Sequence, residues 1–567
     1  MKILVVGGVA GGASVAARIR RLDESAEIIL FERGEYVSFS NCALPYYLGG
    51  AVEDWKDLLL MTPKGLQKRF NLDVRVQNEV VSIYRENKTV TVRNTVTGEE
   101  YTESYDKLVL SPGAAAIRPN VPGVDRKNVF TVRNVPDVRA IKEYINANGV
   151  QTAAVCGGGF IGMEVAENLR TAGLNVALVG RNEQVMPPFD HDMAQYLQKE
   201  LLDNGVSLYL GHAVTEIRED SITAVSKATG ENVRISAEIV VLALGVRPET
   251  SLAEGCGLAI GETHGIIVDG GFRTSDPDIY AVGDVIENYN RMTHTPGRLT
   301  LAGPAQRQAR AAAGHICGQE SENRGYIGSM CLRVFSLNAA CTGLSEKAAK
   351  KAGIPCEIAY VLSNDKVGIM PDSNYMAFKL VFEVPTGRIL GAQAIGRGDA
   401  VRRVDTVASL ISMNGTLDDL KELELCYSPV YGTAKDVVNM AALVGLNVLG
   451  GSMRQVHVDT VRSLVEAGAY IIDVRERGEY ERGHIKGAVN IPLSEFRGRM
   501  NEVPKDIPVY LHCRSSQRSY YACCQLRNCG RENAVNISGS FLGLCLYEYY
   551  EDKVTGREPI VTAYNFD

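Results

Sequence analysis

The chain has no C-x-x-C cysteine pair, no long apolar run and no long basic run. Its 13 cysteines are irregularly spaced over 567 residues, which is typical of free thiols in a reducing cytosol and not of a disulfide framework. No apolar run reaches the ~18 residues of a membrane-spanning helix, and Met1 leads into a strand-like segment without signal-peptide features. A net charge of -7 provides no basic surface for nucleic acid. We therefore expect a soluble, cytoplasmic, multidomain protein with small-molecule partners and no nucleic-acid or membrane partner.

The turn from Gly7 to Gly12 follows an apolar strand and opens a helix. Its backbone amides and the helix N-terminus can hold a pyrophosphate. Glu32 ends the next strand, where a carboxylate suits a ribose diol, and Asp284 ends a remote apolar strand, where it can bind the ribityl chain of a flavin. Val9 replaces the middle glycine and weakens the motif, but the two carboxylates favour an FAD site.

A second glycine-rich turn, from Cys156 to Gly162, also lies between a strand and a helix, so the first half contains an internal duplication. The following strand ends in Gly180-Arg181 and offers no acid for an adenosine ribose. Arg181 can neutralise a 2′-phosphate, whereas Gly162 favours NADH. The pattern predicts a flavin reduced by NADH or NADPH and leaves the choice between them open.

The segment from Ser38 to Tyr47 reads S-F-S-N-C-A-L-P-Y-Y and places Cys42 just after the first nucleotide-binding unit. Residues 1 to about 445 resemble the two-dinucleotide-binding flavoprotein disulfide reductases, and this segment matches the coenzyme A disulfide reductases among them. The resemblance implies that Cys42 is the redox cysteine beside the flavin and that Asn41 shapes its surroundings. Because this segment has no second cysteine, oxidised Cys42 is expected as a mixed disulfide, a persulfide or a sulfenate.

The NADH peroxidases and oxidases share this segment but carry a histidine where this chain has Ala10. That histidine is the usual partner of a stabilised sulfenate. Its replacement favours sulfur substrates, and reduction of peroxide or oxygen at a Cys42 sulfenate is the alternative.

The segment from Cys426 to Asp436 resembles the end of the dimerisation domain of the same reductases. The resemblance implies a homodimer in which Tyr427, or else Tyr431, reaches the partner's redox cysteine; a packed interface tyrosine is the alternative. The family's Tyr-Tyr-Pro-Gly stretch is replaced here by Ile369 to Asp372. The loss of that second tyrosine puts coenzyme A disulfide itself in doubt as the substrate.

The C-terminal region contains three ordered segments, Ile472 to Glu476, Gly483 to Pro492 and Leu511 to Ser519, and resembles a single rhodanese domain. Cys513 follows a strand and starts a loop that leads into a helix. Backbone amides of such a loop, with Arg514 and Arg518, can stabilise a thiolate or a persulfide. Four residues separate Cys513 from Arg518, one fewer than in phosphatases of similar topology, and the smaller ring suits sulfur better than phosphate.

Three further cysteines, Cys523, Cys524 and Cys529, lack metal-ligand spacing, and His484 is interpreted as a structural residue of its turn. We predict no metal site.

The combined halves resemble the rhodanese-fused coenzyme A disulfide reductases, also described as persulfide or polysulfide reductases. The resemblance implies that Cys513 accepts sulfane sulfur and that electrons pass from NAD(P)H through FAD to sulfur at Cys42. Coenzyme A is a further candidate ligand and carrier, with Arg18 and Arg21 as candidate contacts for its phosphates. A persulfide carrier or redox sensor that uses the flavin only to reset itself is the non-enzymatic alternative.

The predicted fold class is α/β: two Rossmann-like dinucleotide-binding domains, an α+β dimerisation domain and a C-terminal α/β rhodanese domain. The predicted boundaries are 1–149 with 251–323 for the FAD domain, 150–250 for the NAD(P)H domain, 324–444 for dimerisation, 445–455 for a linker and 456–567 for the rhodanese domain. The candidate catalytic residues are Cys42, Cys513, Tyr427, Tyr431, Asn41, Arg514 and Arg518. The candidate cofactor-binding residues are Gly7, Gly8, Val9, Ala10, Gly11, Gly12, Glu32, Arg33, Ser38, Asn41, Ser111, Gly113, Gly157, Gly159, Phe160, Ile161, Gly162, Arg181, Gly245, Gly283, Asp284, Pro304 and Ala305.

Overall fold

The computed structural model describes residues 1–320 and 322–566. The chain divides into two compact units, Met1–Arg181 with Gly211–Tyr326, and Asn182–Leu210 with Ile327–Asp567. Within the described residues, every helix is too short or too polar to cross a bilayer.

The strands, in chain order, are β1 Lys2–Val6, β2 Glu27–Glu32, β3 Asp73–Val76, β4 Asn78–Tyr84, β5 Thr89–Asn94, β6 Glu100–Ser104, β7 Lys107–Leu110, β8 Ala114–Ala116, β9 Val129–Thr131, β10 Thr152–Cys156, β11 Asn175–Gly180, β12 Ser207–Leu210, β13 His212–Ile217, β14 Ser221–Ser226, β15 Asn232–Ser236, β16 Ile239–Leu242, β17 Val246–Pro248, β18 Ile279–Ala281, β19 Asn288–Tyr289, β20 Pro296–Gly297, β21 Met330–Val334, β22 Leu337–Gly343, β23 Cys356–Asn364, β24 Tyr375–Glu383, β25 Ile389–Gly396, β26 Gln455–Val456, β27 Tyr470–Asp473, β28 Val489–Asn490, β29 Val509–His512 and β30 Ala534–Ile537.

The α-helices are α1 Ala10–Leu22, α2 Leu44–Leu48, α3 Pro63–Phe70, α4 Val135–Asn148, α5 Phe160–Thr171, α6 His191–Asp203, α7 Ser251–Gly255, α8 Ala302–Ile316, α9 Glu346–Lys351, α10 Ala400–Ser412, α11 Leu417–Glu422, α12 Val437–Leu449, α13 Val458–Glu466, α14 Arg477–Glu481, α15 Leu493–Arg499, α16 Gln517–Asn528 and α17 Ser540–Thr555. Short 3₁₀ helices lie at Asn41–Ala43, Trp55–Leu58, Gly283–Val285 and Met500–Glu502.

The first unit contains a parallel sheet in the order β18-β7-β1-β2-β3. Its strands are continuous apolar runs because both faces of a parallel sheet are covered; Ile3, Leu4 and Val5 of β1 are fully buried. Residues of α1 and α8 share this apolar core. The carboxyl ends of β1 and β18 lie at one edge of the sheet, so the turns after them, at Gly7 and Gly283, belong to the same edge.

The same unit contains a second parallel arrangement, β11-β10-β16-β9. Three-stranded antiparallel sheets, β4-β5-β6 and β13-β14-β15, occur once in each half of the duplication. The two halves therefore repeat one plan, and each has a glycine-rich turn at the carboxyl end of its first strand.

The second unit contains an antiparallel sheet, β21-β22-β25-β24-β23, and a parallel sheet, β26-β30-β29-β27-β28. The parallel sheet has separate apolar cores on its two faces. One core includes the carboxyl end of β29 and the residue that follows it, Cys513. Because β29 has the neighbours β27 and β30, its carboxyl end lies in the interior of the sheet edge, where ligand loops of α/β folds occur.

Candidate active sites

The first glycine-rich turn is compact because only glycine fits at two of its positions. Gly7 has φ +98°, and a Cβ on Gly12 would lie 1.8 Å from the carbonyl oxygen of Gly7. A Cβ on Gly11 would lie 2.4 Å from Ser111 Oγ. Val9 precedes α1 with a negative φ of −108°, so this position does not need the positive φ that favours glycine.

Glu32 is held at the end of β2 by the backbone of two neighbouring turns. Gly8 N donates to Glu32 Oε2 at 2.9 Å, and Gly34 N donates to Glu32 Oε1 at 2.8 Å. Each carboxylate oxygen keeps acceptor capacity for a further donor. The carboxylate is thus oriented beside the glycine turn, as an adenosine ribose of FAD requires.

Asp284 lies across the same sheet edge, in the 3₁₀ helix that follows β18. Gln308 Oε1 of α8 accepts from Gly283 N at 2.8 Å, which fixes the turn. Burial raises the pKa of Asp284, although the guanidinium groups of Arg133 and Arg298 oppose that rise. Arg298 Nη1 is buried without a hydrogen-bond partner among the described residues. These unsatisfied and half-buried polar groups fit the hydroxyl and phosphate oxygens of an extended flavin nucleotide.

The remaining candidate FAD residues lie around these two turns. Arg33 differs from the others because its side chain already has a partner. Ser38 has φ +48° and its N donates to Gly8 O at 2.8 Å, while Ser111 N donates to Val6 O at 2.8 Å. Gly113 has φ +81°, and Pro304 and Ala305 are buried in the first turn of α8. Arg33, by contrast, is paired with Glu249 at 2.6 Å, which occupies part of its guanidinium.

Cys42 lies in the 3₁₀ helix Asn41–Ala43, which leads directly into α2. The residue is exposed, but the protein around its sulfur raises the pKa by desolvation, and the carboxylates of Glu164 and Asp284 add to that rise. The chain by itself therefore holds Cys42 as a thiol near neutral pH. Asn41 Oδ1, next to it, is a buried acceptor without a partner among the described residues.

Glu164 on α5 is the carboxylate that faces this segment. Tyr46 Oη, on the helix after Cys42, donates to Glu164 Oε1 at 3.3 Å. Burial, the largest effect, raises the pKa of Glu164 to about 7, with the Glu167 carboxylate adding to the rise. Glu164 can therefore hold or release a proton near neutral pH beside the segment that carries Cys42.

The second glycine-rich turn repeats the geometry of the first. Gly157 has φ +122°, and a Cβ on Gly162 would lie 1.8 Å from Gly157 O. A Cβ on Gly159 would meet open space, so this part of the turn is accessible to a pyrophosphate. Phe160 and Ile161 begin α5.

Two further candidates for the second nucleotide lie at the ends of neighbouring strands. Arg181 follows β11 and is exposed, and Gly245 has φ +97° after β16. Gly180 leaves no acid at the end of β11. Neither observation separates NADH from NADPH.

Cys513 begins a tight loop between β29 and α16 and is 1% exposed. Its N donates to Ser540 Oγ at 3.2 Å, and Ser519 Oγ lies 3.7 Å from the Cys513 sulfur. Ser516 has φ +75°, the left-handed conformation that turns the loop before α16. The Cys513 thiol is therefore buried, with the Ser519 hydroxyl of α16 near its sulfur and the Ser540 hydroxyl of α17 bonded to its backbone.

The two arginines of this loop have different environments. Arg518 donates to both carboxylate oxygens of Glu479, at 2.6 and 2.8 Å. Arg514 Nη1 donates to the carbonyl oxygen of Asn565 at 3.2 Å, while its Nη2 is buried without a partner among the described residues.

A buried ion pair lies at the end of β27, next to the strand β29 that leads into this loop. Arg475 contacts both carboxylate oxygens of Asp473, the closest at 2.6 Å, and both side chains are at most 1% exposed. Although burial opposes ionisation, His512 and Arg475 hold the pKa of Asp473 below its usual range. His484 stacks on Tyr480 with ring centroids 3.7 Å apart.

Tyr427 and Tyr431 lie on the loop before α12 and are 51% and 67% exposed. Tyr431 O accepts from Arg402 Nη2 at 2.8 Å, which anchors the backbone of this loop. Both phenol side chains face solvent in the single chain.

The profile for pyridine nucleotide-disulphide oxidoreductases matches residues 1–309, more than half of the chain. The chain belongs to this family. Profiles for the dimerisation domain of these oxidoreductases and for a rhodanese-like domain match residues 331–436 and 457–545.

Three similar proteins agree with this assignment. A coenzyme A disulfide reductase of Staphylococcus haemolyticus is 33% identical over 440 residues, which cover 77% of this chain and 98% of the relative. The reduced CoADR-RHD of Bacillus anthracis has 44% identity and a TM-score of 0.93, over 97% of this chain and 98% of that one. The NAD-dependent persulfide reductase of A. fulgidus has 32% identity and a TM-score of 0.89, over 95% and 99% of the two chains.

The predicted family, the fold class and the prediction of an oxidoreductase that uses FAD and NAD(P)H are confirmed by these matches. Sequence reasoning missed Glu164 and Glu479, which contact their partners across 118 and 39 residues of chain. Glu479 lies between the first two rhodanese segments. Its position near them is the one sequence feature that could have pointed to it as a functional residue. Glu164 is the fifth residue of α5 and is close in sequence to the second glycine-rich turn, but it belongs to no sequence motif.

Proposed function

We propose that this oxidoreductase reduces persulfides, polysulfides or coenzyme A disulfide with NAD(P)H, and that Cys42 is its redox cysteine. The observation that carries the proposal is the combination of one exposed thiol beside the FAD turn with a buried thiol in a rhodanese loop. The names of two relatives, a coenzyme A disulfide reductase and a persulfide reductase, support it.

Cys42 receives the sulfur substituent as a mixed disulfide or a persulfide. FAD, when bound, would relay two electrons from the nicotinamide. The S–S bond at Cys42 then breaks with two electrons and one proton, which leaves the Cys42 sulfur as a thiolate and releases a thiol or hydrosulfide. Glu164, with its pKa raised by burial to about 7, is placed to exchange a proton with this segment.

Cys513 takes up sulfane sulfur in the rhodanese domain. A carrier thiol, such as the pantetheine arm of coenzyme A, moves sulfur between Cys513 and Cys42. Arg18, whose Nε is buried without a partner among the described residues, supports the hypothesis that Arg18 and Arg21 bind the phosphates of coenzyme A.

The predicted boundaries and site residues are part of this proposal. The FAD domain comprises 1–149 and 251–323, the NAD(P)H domain 150–250, the dimerisation domain 324–444, the linker 445–455 and the rhodanese domain 456–567. The glycines of both turns, Glu32 and Asp284 bind the two nucleotides, with Asn41 beside Cys42 and with Arg514 and Arg518 beside Cys513.

The working form in this proposal is a homodimer. The dimerisation profile at residues 331–436 and the exposed apolar side chains of Tyr427, Val430 and Tyr431 support an interface there. Tyr427, or else Tyr431, donates to the Cys42 sulfur of the second copy.

Steady-state oxidation of NADH and NADPH tests the proposal with polysulfide, coenzyme A persulfide, coenzyme A disulfide and peroxide as acceptors. We expect a sulfur acceptor to give the highest kcat/KM and Cys42→Ser to abolish its turnover. Cys529→Ser, at another exposed cysteine, is the matched control and should leave turnover unchanged. Peroxide as the best acceptor, or an active Cys42→Ser variant, would refute the proposal.

A further inference from the structure

The rhodanese loop carries two arginines, but only one of them is electrostatically free. Glu479 approaches Arg518 through two parallel hydrogen bonds of 2.6 and 2.8 Å, and the two side chains are 24% and 31% exposed. A bidentate pair of this kind is stronger and more directional than a single contact. The hydrogen bonds that Arg518 donates to Glu479 are the main cause of the raised pKa of Arg518, and the nearby Cys513 sulfur contributes to it.

Arg518 therefore faces the Cys513 sulfur with its charge balanced by Glu479. Glu479 is not part of the loop: it lies on α14 and reaches Arg518 across 39 residues of chain. Its carboxylate also accepts from the backbone N of Glu476 at 3.2 Å, which holds it at the start of the helix.

Arg514 is the free cation. One of its nitrogens donates to the Asn565 carbonyl oxygen, which is uncharged, and the other is buried without a partner among the described residues. The loop thus offers an anion about one positive charge that is not already paired. Arg475, the next cation behind the loop, is balanced by Asp473.

We propose that Glu479 is a specificity-determining residue of the rhodanese loop: by pairing with Arg518, it makes the loop select a monoanionic organic persulfide over dianionic thiosulfate. This inference rests on the proposed sulfur uptake at Cys513 and names the donor class for that site. The physical reason is that a second negative charge on the donor finds Arg518 and Arg475 already paired among the described residues and meets the Glu479 carboxylate instead.

The transfer step is the same for both donors. The Cys513 thiolate attacks the outer sulfur of the donor, a Cys513 S–S bond forms and the S–S bond of the donor breaks. The leaving group takes the bonding electron pair, as a thiolate from an organic persulfide or as sulfite from thiosulfate. No external oxidant or reductant is needed, and the two donors differ in their charge and in their leaving group.

The test measures the rate of sulfur loading on Cys513 in the full-length, FAD-loaded protein without NAD(P)H. The donors are 2-hydroxyethyl persulfide, whose anion carries one negative charge, and thiosulfate, which carries two, and loading is followed by alkylation and mass spectrometry of the peptide that carries Cys513. Glu479→Gln keeps the shape and the capping oxygen but removes the charge. We expect it to raise the rate constant for thiosulfate about tenfold and that for the persulfide less than about threefold, with a steeper salt dependence for thiosulfate.

Two further variants separate specificity from folding. Glu479→Asp should restore the selectivity of the unmodified chain, and Glu495→Gln, at a surface glutamate that pairs with Arg477 at 2.9 Å, should not change it. In an Arg518→Gln background, Glu479→Gln should produce no further gain for thiosulfate, because the two residues act as a pair.

Equal changes for both donors, or no change for either, would overturn the role of Glu479 while leaving sulfur uptake at Cys513 intact. Failure of the unmodified chain to load Cys513 from either donor would instead overturn the proposed rhodanese activity. Sulfur loading of Cys513 in the unmodified chain therefore distinguishes the two failures.

Discussion

Replacing Glu164 by glutamine should stabilise the first unit above about pH 7 and leave its stability unchanged at acidic pH. Glu164 is largely buried on α5, it accepts a hydrogen bond from Tyr46 Oη at 3.3 Å, and Glu167 adds a second negative charge nearby. This environment disfavours the ionised carboxylate. Glutamine has nearly the same shape, can accept the same hydrogen bond and never ionises.

The magnitude follows from the pKa of Glu164, which burial raises from 4.5 to about 7. The folded-state pKa lies above the unfolded-state value, so the stability of the unmodified chain is complete below about pH 4.5 and declines as pH rises through about 7. At about 1.4 kcal/mol for each pH unit, the separation of about 2.5 pH units gives a decline of up to about 3.5 kcal/mol, which solvent screening of this partly exposed side chain reduces. The glutamine variant avoids this decline, so its advantage should grow from zero to about 2–3 kcal/mol over the same interval.

Urea unfolding of the FAD-loaded protein, followed by flavin fluorescence at a series of pH values, measures this difference. Glu143→Gln is the matched control, because Glu143 is 72% exposed and pairs only loosely with Arg139 at 3.7 Å. A glutamine variant whose advantage is the same at all pH values, or which is less stable at about pH 8, would refute the reasoning.

Two further predictions concern glycine and ion-pair positions. Gly12→Ala places a Cβ 1.8 Å from a backbone carbonyl oxygen and should reduce FAD loading by more than about tenfold, measured by flavin absorbance after purification, whereas Gly255→Ala meets open space and should load normally. Arg475→Met leaves the buried Asp473 carboxylate uncompensated and should cost about 3–5 kcal/mol of rhodanese-domain stability. Urea unfolding, with sulfur loading as the readout, measures this loss of stability. Arg477→Met, at an exposed arginine, is the control. Equal losses of stability in both variants would contradict the prediction.

The parts of the sites that are local in sequence could be predicted. The Gly7 to Gly12 turn and Glu32 belong to one βαβ segment, so their spacing alone determines that they meet, and the structure joins them through a 2.9 Å hydrogen bond from Gly8. The Cys513 loop could be predicted for the same reason, because β29, the loop and α16 are consecutive.

The parts that depend on tertiary packing could not be predicted. Arg33 is predicted to lie at the FAD site and Arg518 beside Cys513, but the sequence does not indicate their long-range partners, Glu249 and Glu479. A single sequence does not indicate which carboxylate meets which guanidinium, because surface charges form no periodic pattern. The raised pKa of Glu164 has the same origin, since it arises from burial in the folded chain, where even its hydrogen-bond partner Tyr46 is 118 residues away in sequence.

The central claim is that sulfur is reduced on Cys42. The most direct measurement is a single turnover in which the FAD-loaded protein is mixed with coenzyme A persulfide, alkylated before and after addition of NADH, and analysed by peptide mass spectrometry. The account predicts one additional sulfur atom, or a bound coenzyme A, on the Cys42 peptide before NADH and its loss afterwards, with one equivalent of hydrosulfide or thiol released. An unmodified Cys42 peptide at both times, together with full NADH oxidation by Cys42→Ser, would contradict it.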